Sequence, residues 1–150
     1  MQQDGSVSAD QQVSIGGERY RTDVRVRWSD LDAFGHVNNA RTLTLLEEAR
    51  VDWLFVAAAR HGVDRLTEGI VVSRLSIAYR RAIGFGAPVS VSMWVSALAA
   101  ASFTVDYEVR AAGEVAAEAS TVLVPVDRTT FRPRRLAAAE RDYLARFVGG

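Results

Sequence analysis

Apolar and polar residues alternate from Glu18 to Trp28, with Val24, Val26 and Trp28 on one side and Arg25 and Arg27 on the other, the period of a half-buried strand. The period changes at Asn39. Placed at ~100° per residue, Arg41, Thr44, Glu48 and Asp52 gather on one narrow arc, whereas Leu43, Leu45, Leu46, Ala49, Trp53, Leu54, Val56 and Ala57 spread over most of the circumference. A helix from about Asn39 to Arg60 with so wide an apolar surface must be covered on most sides, and His61-Gly62 supplies its stop signal. Alternation returns through Ile70 to Arg81, Val89 to Leu98, Phe103 to Arg110 and Val115 to Val126, with Ala112-Gly113 turning the chain between the last two. Short connections between the last three segments predict antiparallel neighbours. Leu136 to Phe147 reads as a short terminal helix. The pattern predicts an α+β fold: one long central helix wrapped by a curved antiparallel five-stranded sheet, with a short C-terminal helix.

Length and composition narrow the class of partner. A chain of 150 residues suits one domain, expected over 18–150, with 1–17, rich in Gln, Ser, Gly and Asp, expected as a disordered tail. No apolar run approaches the ~20 residues of a membrane span and no basic leader precedes a signal-type run, so a soluble, cytoplasmic protein is expected. Eighteen basic and eighteen acidic residues balance, which argues against nucleic acid or a membrane surface and for a small-molecule partner. All the basic residues are arginine, so a lysine Schiff base is excluded. The lack of cysteine removes disulfides and thiolate nucleophiles, and with only two histidines no metal site is expected.

The chemistry concentrates in Trp28 to Arg50, WSDLDAFGHVNNARTLTLLEEAR. Asp30 and Asp32 precede a turn-forming Gly35-His36, and Asn38-Asn39 offers a cap at the start of the helix. Such a helix end presents peptide N–H groups without intrahelical partners and the positive end of the dipole. Ionisable side chains are thus delivered to an electrophilic helix terminus.

Asp30, Asp32, Gly35, His36, Val37, Asn38 and Asn39, followed on the helix by Glu47-Glu48-Ala49-Arg50, resemble the signature of the hotdog-fold acyl-CoA thioesterases of the 4-hydroxybenzoyl-CoA thioesterase family. The strand order agrees over about Glu18 to Arg128. The resemblance implies hydrolysis of an acyl-CoA or acyl-carrier-protein thioester, with coenzyme A as part of substrate or product and no other cofactor. It also implies a homodimer whose sheets join edge to edge, with dimers able to pair into tetramers. One departure stands out: where the family usually carries an aromatic residue, often Tyr, this chain has Thr42, on the buried face near the helix start, which opens or alters the acyl pocket.

By resemblance Asp32 is the catalytic carboxylate, and a carboxylate can serve thioester hydrolysis as nucleophile or as general base. Its bland alternative is a turn aspartate bonded to its own backbone. Asp30 is expected to hold the turn or pair with Arg27. Asn38 and Asn39 mark the helix end at which a developing oxyanion would be stabilised, an ordinary cap being compatible with that role. His36 is a general acid for the leaving thiolate or a structural residue of the turn. Glu47, eight residues past Asn39 and so ~12 Å along the axis, either pairs with Arg50 or reaches a site through a second subunit. Ser73, Arg74, Arg80 and Arg81, with the Arg128 to Arg135 cluster, are candidates for the phosphates of coenzyme A. Two other classes stay open: a hotdog dehydratase and a non-catalytic acyl-thioester-binding module.

Overall fold

A computed structural model describes residues 16–150; the expected tail lies largely outside them, and Gly17 at their start donates to the Val148 carbonyl at 2.8 Å. Strand β1 is Tyr20–Val24, shorter than the alternation suggests. The central helix α1 runs over 39–60 as an α-helical stretch Asn39–Val51, a π-helical stretch Asp52–Ala57 and a last turn Ala58–Arg60. Strands β2 (Ile70–Tyr79), β3 (Val89–Leu98), β4 (Phe103–Ala111) and β5 (Glu114–Pro125) follow, then helix α2 (Ala138–Ala145). All pairings are antiparallel, in the order β1-β3-β4-β5-β2, so β2 crosses to the far edge of the sheet. This is the predicted architecture, a curved five-stranded sheet around one long helix.

Register explains the core. Met93, Tyr107, Ala119 and Ile77 lie opposite one another across four strands, and the first three are buried under the helix. Leu46, Ala49 and Trp53 meet them from the helix side, all at zero exposure. Trp53 stacks on Tyr20 at 6.0 Å and takes Phe147 edge-on at 5.0 Å, so β1, α1 and the C-terminal segment share one aromatic contact.

The π stretch departs from the expected continuous α-helix, and it accounts for a misplaced residue. Each π hydrogen bond spans one residue more than an α bond, so the faces rotate out of phase beyond Val51. Val56, expected under cover, is exposed, and Asp52, expected in solvent, is half-buried and accepts from the Tyr20 hydroxyl at 2.6 Å. The helix ends where Gly62 takes φ +80, and the His61 ring bonds the Ala57 carbonyl through Nδ1 at 3.0 Å. Among the described residues no helix is long and apolar enough to cross a membrane.

The basic cluster after β5 is only partly available for ligands. Arg134 is half-buried, gripping the buried Glu140 through two bonds of 2.8 Å, while Glu140 also accepts from the Ala137 N–H at 2.7 Å and so starts α2. Arg134 further donates to the Arg65 carbonyl at 3.1 Å, which ties the terminal segment to the turn before β2. Burial pushes the Glu140 carboxyl up, but the Arg134 bonds and the Ala137 N–H outweigh it and hold the group below its ordinary range. A carboxyl depressed in the folded state stabilises above its unfolded value and loses that contribution as pH falls. Stability should therefore drop as pH falls below 4.5. Glu140→Gln, which keeps an acceptor for Arg134 but removes the charge that pairs it, is expected to cost ~1–3 kcal/mol in urea unfolding at neutral pH.

Candidate active site

The turn ahead of α1 is built by two aspartates with different duties. Asp30 is 1% exposed; its Oδ2 accepts from the Arg27 N–H at 2.8 Å, its Oδ1 stands 3.9 Å from Arg27 and from Arg41, and its carbonyl accepts from the Asn38 N–H. Asp32 closes the next loop: its N–H donates to the His36 carbonyl at 2.8 Å, and its Oδ1 accepts from the Phe34 and His36 N–H groups at 2.9 and 3.3 Å. Gly35 takes φ +80 there, a conformation costly for other residues. Oδ2 of Asp32 has no hydrogen bond among the described residues. Both readings of Asp32 thus coexist geometrically, with one oxygen anchoring the turn and the other free.

The turn is zipped to the β2–β3 connection. The Val37 N–H donates to the Ile83 carbonyl at 2.8 Å, and His36 bridges Gly84. This brings Asp32, His36, Asn39 and Thr42 together with Tyr79, Arg80 and Arg81 around a cleft of about 300 Å³, floored by Ala116 and Ala117. Thr42 is 2% exposed at its wall. The His36 backbone, rather than its ring, organises the turn.

Asn38 caps the helix, its Oδ1 accepting from the Ala40 N–H at 2.9 Å, while its carbonyl accepts from Thr42 at 3.1 Å. The Asn39 and Arg41 N–H groups remain without partners among the described residues, at the positive end of the dipole. Asn38 itself stands outside the cleft lining, so its part is to hold the first turn.

Three further candidates, Glu47, Ser73 and Arg74, do not join the cleft within this chain. Glu47 is 67% exposed with its Oε2 3.9 Å from Arg50, which in turn donates to the Tyr107 hydroxyl at 3.2 Å. Ser73 and Arg74 lie on the exposed middle of β2, where Ser73 bonds the Val122 carbonyl at 3.4 Å beside a bulge. Arg80 and Arg81 do line the cleft, paired with Glu118 and Glu114.

Tyr79 reads in the sequence only as one apolar step of a strand, yet it belongs to the site. Its hydroxyl donates to the Asn39 carbonyl at 2.7 Å, tying the last residue of β2 to the first of α1, and burial raises its pKa so that it stays a donor. Its place directly before Arg80-Arg81 is the available signal.

The family model described as the Thioesterase-like superfamily matches residues 26–147. The chain belongs to that superfamily. It is 29% identical over 130 residues to the long-chain acyl-CoA thioesterase FadM of Escherichia coli (strain K12), covering 85% of this chain and 98% of that protein. A thioesterase from Thermus thermophilus, crystallised with coenzyme A and Zn, is 36% identical, with a TM-score of 0.74 over 87% of this chain and 95% of its own. The DHNA-CoA thioesterase of Staphylococcus aureus superposes with a TM-score of 0.68 at 27% identity, over 79% and 80% of the two chains. Thioester hydrolysis, the reaction class expected from the Asp32 turn, agrees with these kinships.

The tether from Tyr79 to Asn39 yields a direct test. Tyr79→Phe keeps the ring and deletes one bond of ~1 kcal/mol; kcat for thioester hydrolysis should fall about fivefold with KM nearly unchanged, as measured by thiol release. An unchanged kcat would show that the first turn of α1 holds its position without the hydroxyl.

Proposed function

We propose that the protein hydrolyses an acyl-CoA, or an acyl group on a carrier protein, to carboxylic acid and free thiol. The observation that carries this reading is the divided hydrogen bonding of Asp32, one oxygen fixed by two backbone N–H groups and the other unengaged at a cleft that also holds the first turn of α1. The names of FadM and of the Thermus thermophilus thioesterase complexed with coenzyme A support it.

In this mechanism the thioester carbonyl lies against the Asn39 and Arg41 N–H groups, which stabilise the oxyanion as the tetrahedral centre forms. Asp32 Oδ2 either attacks the carbonyl carbon, expelling the thiolate and leaving the acyl group on Asp32 as an anhydride that water then hydrolyses, or takes a proton from the water that attacks, after which the thiolate leaves. Oδ1 stays on the turn, so the carboxylate is oriented before substrate arrives. His36 stands at the cleft beside it, where it can protonate the leaving sulfur. Arg80 and Arg81 receive phosphate groups, and Thr42 leaves the room that a larger side chain would fill.

The same reading includes a dimer. Among the described residues β2 pairs only with β5, and Val71, Val72 and Leu75 are each about two-fifths exposed on its two faces. An edge strand so apolar invites another strand, and joining β2 to its copy covers these residues and brings a second α1, with its Glu47, toward the site.

A panel of acyl-CoAs assayed by thiol release tests the activity; enoyl products would point instead to dehydration, and binding without turnover to a carrier module. Asp32→Asn should lower kcat by ~10²- to 10⁴-fold while remaining folded. Full activity in that variant would remove Asp32 from the chemistry and direct attention to Glu47→Gln. Single-turnover reaction in ¹⁸O water separates the two roles, since label enters Asp32 only if it attacks. For the dimer, Leu75→Arg should sediment as a monomer; an unaltered sedimentation coefficient would exclude edge pairing through β2.

A further inference from the structure

The arginines at the cleft are not free cations. The Arg80 and Arg81 N–H groups both donate to the Ala116 carbonyl, at 2.8 and 3.1 Å, just beyond the last ladder pair of Tyr79 with Ala117, which fans the two side chains at the end of β2. Each is then met by an acid from β5: Arg80 Nε lies 2.9 Å from Glu118 and Arg81 Nε 3.1 Å from Glu114. All four side chains are more than half exposed, so the pairs add little to stability. Glu118 also stands directly opposite Glu108 across β4 and β5, a like-charge placement that costs stability, with Glu108 held by Arg110 at 2.9 Å. These acids are poorly explained by folding.

Their geometry suits another task. Only Nε of each guanidinium is engaged, and the terminal nitrogens have no hydrogen bonds among the described residues. Those are the donors a phosphate takes in fork geometry. A second hollow of about 430 Å³ continues from the cleft, sharing Arg81, Ala82 and Ala116 with it and adding Ala111, Ala112 and Glu114. The Arg81–Glu114 pair therefore stands where one space passes into the other. An arm reaching from Asp32 into the second hollow would pass this pair.

We infer that Glu114 and Glu118 set the affinity for the phosphorylated end of a pantetheine thiol, holding the Arg81 and Arg80 guanidiniums through Nε while cancelling part of their charge. The inference rests on the hydrolytic reading above. Its use is in turnover: the released thiol bears the same phosphates as the substrate, so a fully cationic lip would retain product. Two neighbouring carboxylates weaken both and let the thiol depart.

The test uses the full chain with Glu114→Gln, Glu118→Gln and the double variant, because glutamine keeps an acceptor for Nε and removes only the charge. One acyl group is presented on coenzyme A, on 4′-phosphopantetheine and on unphosphorylated pantetheine. KM for the phosphorylated thioesters is expected to fall roughly threefold per substitution and the inhibition constant of free coenzyme A to fall in parallel, both effects shrinking as salt is raised. KM for the pantetheine thioester should not move. The Arg80→Gln/Arg81→Gln variant should raise KM for the phosphorylated substrates alone. A response with coenzyme A but not with phosphopantetheine assigns the contact to the nucleotide phosphates; a response with both assigns it to the phosphate of the arm. The inference is overturned if the phosphorylated substrates keep their KM, or if pantetheine shifts by the same factor. Calorimetric titration with free coenzyme A reads the same change in Kd without turnover, so the proposal about the glutamates can fail or stand separately from the hydrolytic reading.

Discussion

The central helix is held by tyrosine hydroxyls. The chain has four tyrosines, and each hydroxyl bonds a residue of α1: Tyr20 to Asp52 from β1, Tyr79 to the Asn39 carbonyl from β2, Tyr107 with Arg50 from β4, and Tyr143 to the Trp53 carbonyl from α2. An apolar helix in a curved sheet is free to slide and rotate as far as dispersion is concerned, because methyl and methylene contacts have little directional preference. Buried hydrogen bonds have a direction, and each lost bond leaves a polar group unpaired at a cost of ~1–3 kcal/mol. Three rings reach from the sheet and one from α2, each placing one polar atom at the helix, with Tyr107 and Tyr143 buried and Tyr79 at the open cleft. Burial raises the pKa of all four phenols, to about 12 for Tyr20 and Tyr143, so they remain neutral and keep their hydroxyl protons over the physiological range.

That registration matters because the cleft depends on the position of one helix end. Asp32 is fixed by the turn, Asn39 by the Tyr79 tether and the Asn38 cap, and the two halves meet where Val37 and His36 bond the β2–β3 connection. The buried Asp30 supports this turn without entering the cleft, near Arg27 on one side and Arg41 on the other. A displaced α1 would carry the Asn39 and Arg41 N–H groups away from a carboxylate that stays where its own loop holds it.

Much of this can be read from the amino-acid order, for reasons that also explain what cannot. Strand and helix positions follow from local alternation, and Asp32, Gly35 and Asn38 act through bonds within four residues, so their roles are visible in a short window. Tyr79 and Asn39 are forty residues apart, and Arg80 and Glu118 thirty-eight; the packing of α1 on the sheet brings the first pair together and the register of β2 on β5 the second. Arg134 shows the same limit: grouped with its basic neighbours as a phosphate ligand, it is engaged with a glutamate on the next helix. Val56 is misplaced by any unbroken α period carried through Asp52–Ala57.

The π stretch divides α1 into two parts that need not share a face. It absorbs one extra residue, which an uninterrupted α-helix would carry as ~100° of rotation, so Trp53 keeps the face of Leu46 and Ala49 while positions beyond it, Val56 among them, leave the α period. Loss of a single residue within 54–57 would restore one continuous α period and leave both ends of the helix, the first turn by Asp32 and the last by His61, facing as they do now. The helix carries one residue more than its span requires, and the wide turn is where that residue is stored.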